Sequence, residues 1–424
     1  MSREMKDSGV EWIGEIPENW EVKQLRTYFS RRINKNIHLQ EKNLLSLSYG
    51  RIVRKNIDTK EGLLPESFDG YNIIENGDIV IRGTDLQNDH RSLRTGLAME
   101  RGIITSAYMT LRPQKDVNST YYHYLLHCYD ISKVFYSMGG GLRQSLDYWE
   151  FIRMPVLHPT DREQEEIVSY IKTKCTAIDT AIEKTKKSIE KLEEYKKAVI
   201  TKAVTRGIDP NARMKDSGVE WIGEIPEGWK VSKFKFHAKA KSEKNPGNAT
   251  ILSLYREYGI VIKDSRDDNH NRTSLDTSSY RYVEVNDFVV NKMKAWQGSV
   301  AVSEYTGVVS PAYYVYKITD AEIYPLYLHY LLRSCYKDEF RRLSGGIRIG
   351  QWDLPSDALE NTLIIQPSYT EQVRITEYIQ RHTTVVEQLI EKKKTAINKW
   401  EEYKKSLIYY AVTGKIDCRN EVIE

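Results

Sequence analysis

The 424-residue chain has only four cysteines, Cys128, Cys175, Cys335 and Cys418, and the nearest two stand 47 positions apart (175 − 128). No CxxC pair exists, so a structural zinc or a dithiol redox centre is excluded and reduced thiols are expected. Long apolar runs are missing as well: no stretch approaches eighteen uncharged apolar residues, and the opening MSREM is followed by no apolar core. A spanning helix and a signal peptide are therefore not expected, and the cytoplasm is the expected compartment. An excess of one charge is also absent, since 63 basic residues face 59 acidic ones for a formal charge of +4. That balance does not announce a nucleic-acid binder, so any basic surface must be local. Phosphate-cradling motifs are lacking: Gly139 to Gly141 do not make G-x-G-x-x-G, and no G-x-x-x-x-G-K-[ST] occurs. His123 and His127 sit at i, i+4, but no Glu follows His123 and Arg333 stands where a second-half His127 would fall, so no metal site is expected.

What is present is repetition. MKDSGVEWIGEIPENW at Met5–Trp20 recurs as MKDSGVEWIGEIPEGW at Met214–Trp229, with Asn19 against Gly228 the single difference in sixteen positions. HYLL at 123–126 recurs at 329–332, GGLR at 140–143 answers GGIR at 345–348, EQEEIVSYI from Glu163 answers EQVRITEYI from Glu371, and AVTRGID from Ala203 answers AVTGKID from Ala411. The spacing drifts only between 205 and 209, so the chain is two homologous halves meeting near Arg213.

Each half opens with about 155 residues of short β-branched and aromatic runs between turn signals, such as YNIIENGDIVI and its counterpart YRYVEVNDFVV. This pattern predicts a strand-rich domain with some helix. Apolar residues then fall on alternating four- and three-residue steps in a Lys- and Glu-rich background: Ile171, Ile178, Ile182, Ile189, Leu192 and Val199 in the first half, Ile379, Val386, Ile390, Ile397, Trp400 and Leu407 in the second. That period predicts long helices with a coiled-coil seam, each the other's nearest partner. The connection between the first helix and the second domain is short, which favours antiparallel pairing about a pseudo-twofold axis. The expected fold is α+β, with mixed α/β domains at 1–158 and 214–366, a helix and linker at 159–213 and a helix and tail at 367–424.

The halves disagree mainly at one place. RGTDLQNDHRSLRTGLAMER (Arg82–Arg101) stands opposite NKMKAWQGSVAVSEYTG (Asn291–Gly307), although equivalent strands precede both and similar ones follow. Matching surfaces suit two copies of one partner, and mismatched loops suit two targets. The loop residues are of the kind that read base edges and hold phosphates: Arg82, Thr84, Gln87, Asn88, Arg91 and Arg94 in the first, Asn291, Lys292, Lys294, Trp296 and Gln297 in the second. Arg143 and Gln144, and Arg348 and Gln351, stand beside glycines that let a backbone approach closely.

This ordered set, with the GEIPENW and GEIPEGW openings, the GGLRQSL and GGIRIGQ segments and the Pro-x-x-x-Glu-Gln junctions at Pro159–Gln164 and Pro367–Gln372, resembles the specificity subunit of type I restriction-modification systems over practically the whole chain. The resemblance implies that each globular part is a target-recognition domain reading one half of a bipartite duplex DNA site, and that the helices set the gap. It further implies two copies of an adenine-N6 methyltransferase subunit and a translocating restriction subunit as partners. S-adenosylmethionine, ATP and magnesium are expected on those partners only, because an Asn-Pro-Pro-Tyr motif for a flipped adenine is missing here: the single Asn-Pro, Asn245-Pro246, is followed by Gly247. The chain itself is expected to be non-catalytic. The rival reading is a coiled-coil scaffold that binds proteins and no DNA.

Overall fold

The computed structural model describes residues 3–58, 67–87, 89, 93–138, 145–256, 258–263, 276–346 and 352–419. The chain divides into two compact units, one made of Met1–Thr185 with Thr395–Glu424, the other of Lys186–Lys394.

In the first unit a four-stranded antiparallel sheet runs in the order Phe29–Arg31, Met109–Pro113, Ile79–Ile81, Thr95–Leu97. The second unit repeats that order with Ala238–Lys241, Tyr313–Ile318, Phe288–Asn291 and Val300–Val302. The turn entering the third strand explains part of the repeated sequence. Gly77 and Asn286 take left-handed backbone angles (φ 91° and 73°), and the following Asp78 and Asp287 carboxylates accept the Glu75 and Glu284 N–H groups at 2.8 Å. A buried carboxylate needs a counter-charge, which Arg32 supplies to Asp78 and Lys241 to Asp287 at 3.1 Å.

Each unit's core lies between its sheet and a helix, Ser119–Ile131 in the first and Pro325–Cys335 in the second. The long helices run Asp161–Arg206 and Tyr369–Val412, about 65–70 Å at 1.5 Å per residue. Their starts account for the Pro-x-x-x-Glu-Gln junctions. Thr160 caps the first, with its hydroxyl accepting the Glu163 N–H at 3.3 Å while the Glu163 carboxylate reaches back to Thr160, and Ser368 accepts the Glu371 N–H in the second. The buried amides of Gln164 and Gln372 then donate to Pro159 O and Pro367 O, each at 3.0 Å.

Their ends account for the repeated Ala-Val. Ala411 and Val412 lie in the core of the first unit, where Tyr121 Oη donates to Val412 O at 3.3 Å. Ala203 and Val204 lie in the core of the second, where Tyr327 Oη donates to Val204 O at 3.1 Å. Gly207 and Gly414 end the helices at φ 74° and 72°, an αL step that glycine makes without Cβ strain. Each helix thus begins in one unit and ends in the core of the other.

Within each unit the two helix segments are antiparallel. In the first, Lys404 Nζ binds both Asp179 carboxylate oxygens (2.6 and 2.7 Å) and Arg419, further along, feels Glu163 and Glu166. In the second, Lys196 pairs with Glu387 and Gly207 lies against Glu371. The seam is buried near the domains, at Ile171, Ile178, Ile182, Ile379, Val386, Ile390 and Leu407, and only half-buried at Ile189, Leu192, Val199 and Ile397. Trp400 departs from the expected seam. It is 40% exposed and turned edge-on to Tyr403, because two helices alone cannot enclose an indole at that position.

Candidate nucleic-acid interface

In both units the variable loop leaves the third sheet strand and is held by one backbone bond to the segment that follows the Gly-rich stretch. Leu146 N–H donates to Gly83 O at 2.7 Å in the first, and Leu354 N–H to Lys292 O at 3.0 Å in the second. The structure therefore brings together two stretches that the sequence keeps some sixty positions apart (146 − 83 = 63; 354 − 292 = 62). At Gly83 the approach is close: a Cβ there would meet Leu146 at 3.0 Å, so a larger residue would make Leu146 give by a few tenths of an ångström.

The first loop is built around Arg94. It was expected to face a ligand, but it is fully buried, and its guanidinium donates to four carbonyls: Arg82 (3.2 Å), Thr84 (2.7 Å), Asp85 (3.1 Å) and Asp89 (2.6 Å). Tyr136 Oη accepts from its Nε at 3.2 Å, and Asp130 accepts its backbone N–H. Burial pushes the Asp130 carboxyl up to about 6 despite that bond and the nearby guanidinium. Arg94 is a positioning residue that folds the loop; the fork of donors satisfies carbonyls that no strand pairs. Around it Arg82 pairs with Asp89 at 3.2 Å, and Thr84 and Gln87 stay exposed.

The second loop is a short 3-10 turn, Ala295–Gln297, closed by Gly298 at φ 90°. Asn291 corrects a second expectation: it is 8% exposed and its side chain bonds Tyr313. Lys292 pairs with Asp353 at 3.2 Å, Lys294 is exposed, Gln297 is half-buried, and Trp296 donates its indole N–H to Met293 O at 3.1 Å. Asn88, Arg91, Arg143, Gln144, Arg348 and Gln351 lie outside the described residues.

Sequence reasoning missed several side chains at this face. Trp352 packs its ring 5.6 Å from Trp296; in the first unit Arg31 lies 5.2 Å over Tyr148 and the adjacent Trp149 is 66% exposed. The available signal was an aromatic within a few residues of each Gly-rich segment, in GGLRQSLDYW and GGIRIGQW. Aromatics and cations interleaved on one face can stack bases and neutralise phosphates.

Burial raises the Cys128 thiol to about 12 and Cys335 to about 11, and among the described residues no group of three or more His, Cys, Asp or Glu could hold a metal. Burial lowers His123 to about 3, aided by His127; it lowers His127 to about 4, aided by Lys404 and Lys405. Both histidines keep some accessible area, yet His123 Nε2 is sealed from water without a partner, which accounts for its neutral state. No helix among the described residues is long and apolar enough to cross a membrane.

No protein-family model matches the chain. A Methanocaldococcus jannaschii protein provisionally named as a type I restriction enzyme MjaX specificity subunit is 23% identical over 427 residues, spanning 95% of each chain. The type I restriction enzyme MjaVIII specificity subunit of the same organism is 24% identical over 341 residues, 76% of each. Over nearly its whole length the chain is similar to type I restriction enzyme specificity subunits. Solved structures agree on the fold of the chain. One, from work on complex assembly and conformational transition of the type I R-M system, superposes with a TM-score of 0.67 at 12% identity, covering 95% of this chain and 99% of that one. The HsdS subunit of Thermoanaerobacter tengcongensis gives 0.53 at 12% identity, covering 95% and 98%. The domains and long helices of the chain thus follow a fold shared over nearly its full length.

Proposed function

We propose that this chain is the DNA sequence-specificity subunit of a type I restriction-modification complex, with each domain reading one part of a bipartite, asymmetric duplex site. One observation carries the reading. Two domains of the same strand order hold chemically different loops at the same place, through the same backbone bond. A shared frame with exchanged loops suits two readers of different sequences. Lys294, Gln297 and Trp296 in one half, and Arg82, Thr84 and Gln87 in the other, are the described candidates for base and phosphate contact. The long helices act as the spacer, since an uninterrupted helix of more than forty residues is a stiff rod of fixed length.

The chain carries no chemistry of its own in this reading. Two copies of an adenine-N6 methyltransferase subunit supply methyl transfer with S-adenosylmethionine, and a restriction subunit supplies ATP- and magnesium-dependent translocation and cleavage. Sequence-resolved mapping of modified adenines in cells expressing this chain with its methyltransferase tests the proposal. The expected result is a single motif of two short specified blocks separated by a fixed unspecified gap. Methylation at a continuous motif, or none, together with no retention of random duplex pools at low salt, would leave the protein-only scaffold as the better reading.

A further inference from the structure

The repeated opening folds in each unit as a small antiparallel hairpin, Met5–Asp7 with Glu15–Pro17 and Met214–Asp216 with Glu224–Pro226. Much of its repetition is explained by folding. Asp7 and Asp216 accept the Gly9 and Gly218 N–H groups at 2.9 Å; Ser8 and Ser217 accept those of Val10 and Val219; Gly9, Gly14, Gly218 and Gly223 all stand near φ 70°. Ile16, Trp20, Ile225 and Trp229 are buried. A remainder is not explained this way. Glu11, Glu15 and Glu18 are exposed, as are their counterparts Glu220, Glu224 and Glu227, and no hydrogen bond or ion pair among the described residues engages their side chains. Trp12 and Trp221 are each 39% exposed, resting edge-on against Tyr129 and Tyr336.

Exposed positions of this kind tolerate substitution with little effect on stability, so stability does not hold them fixed. Their neighbours show that freedom: on the next strand Glu21 stands opposite Lys230 and Gln24 opposite Lys233, all exposed. We infer that the Glu11–Trp12–Glu15–Glu18 face and its copy at Glu220–Trp221–Glu224–Glu227 are two equivalent docking surfaces for two copies of one protein subunit. Each hairpin sets four carboxylates against one lysine (Asp7, Glu11, Glu15 and Glu18 against Lys6), which repels DNA phosphate and selects a basic partner surface. The half-exposed indole is the apolar anchor typical of an interface centre. The occupant is therefore a basic subunit with a slot for tryptophan, needed twice. Resting on the function proposed above, we assign it as the methyltransferase subunit.

Native mass spectrometry and titration of the full chain with its methyltransferase test this. The unaltered chain should take two copies. E11K/E15K in the first hairpin, or E220K/E224K in the second, should weaken one site at least tenfold and leave one copy bound, while the four-fold variant binds none. Trp12→Phe and Glu15→Gln give milder, well-folded variants with smaller losses in the same direction, and Glu21→Lys, on the divergent strand, should change nothing. Two copies bound at unaltered affinity by the hairpin variants, with unchanged circular dichroism, would overturn the docking assignment and leave the function standing. An unaltered chain that binds no methyltransferase would overturn the proposed recruitment and this assignment with it.

Discussion

Two cations in the variable loops look alike in sequence and differ in what they do. Arg94 is buried among four carbonyls and a tyrosine hydroxyl, whereas Lys294 projects from a 3-10 turn. Arg94→Met should therefore destabilise the first unit by about 3 kcal/mol or more, because several carbonyls lose their donors at once. A thermal melt would register it, and reading of the first half-site should fall in parallel. Lys294→Ala should leave the melting temperature within about a degree and instead relax the second half-site alone, by about 1–3 kcal/mol per lost base contact. Methylation profiling on randomised sites separates the two cases, and loss of both half-sites together would refute independent readers.

Among the elements, the long helices were the most legible in sequence, because a four-three apolar step sustained over some forty residues admits no other regular structure. Their caps and ends were visible as letters but not as functions. The Pro-x-x-x-Glu-Gln junction is a capping box with a glutamine tie, and the repeated Ala-Val is the last turn entering a domain core. Four residues inserted near Glu190 should lengthen the spacer by about 6 Å, roughly two base pairs. Adenine methylation mapping should show the unspecified gap enlarged with both specified blocks unchanged; an unchanged gap would remove the helices from any role as a ruler. Trp400 marks the limit of seam reading, since its register fits but a two-helix seam leaves it exposed.

At the scale of the whole molecule, three neutral histidines tie stability to pH in both units. Burial holds His123 to about 3, and His127 and His329 to about 4, all below the ordinary value near 6.5. The unfolded chain therefore binds more protons between pH 6.5 and 4, so stability is full above that window and is lost as pH falls through it. Each histidine should cost up to about 2 kcal/mol between pH 7 and pH 5. The Asp130 carboxyl, raised to about 6 by burial, acts in the opposite sense, as do Asp78 and Asp287, which burial also raises, while His158, lowered by burial, acts with the three rings. Melts at pH 7 and pH 5 should show a lower midpoint at pH 5, and His329→Gln should flatten the dependence of the second unit; equal midpoints would mean these rings are protonated in the folded chain.

The sequence by itself determined the duplication, the α+β class, the helical rods and the place where the halves diverge, because repetition and periodicity are local properties that survive in a string of letters. Only the tertiary structure decided which residues of the divergent loops face outward. Arg94 and Asn291 went inside and Trp352 came to lie beside Trp296, since burial depends on neighbours some sixty positions away, joined through Leu146 to Gly83 and Leu354 to Lys292. The tertiary structure likewise separated the hairpin residues that fold the turn from those left in solvent, a distinction that identical letters cannot carry.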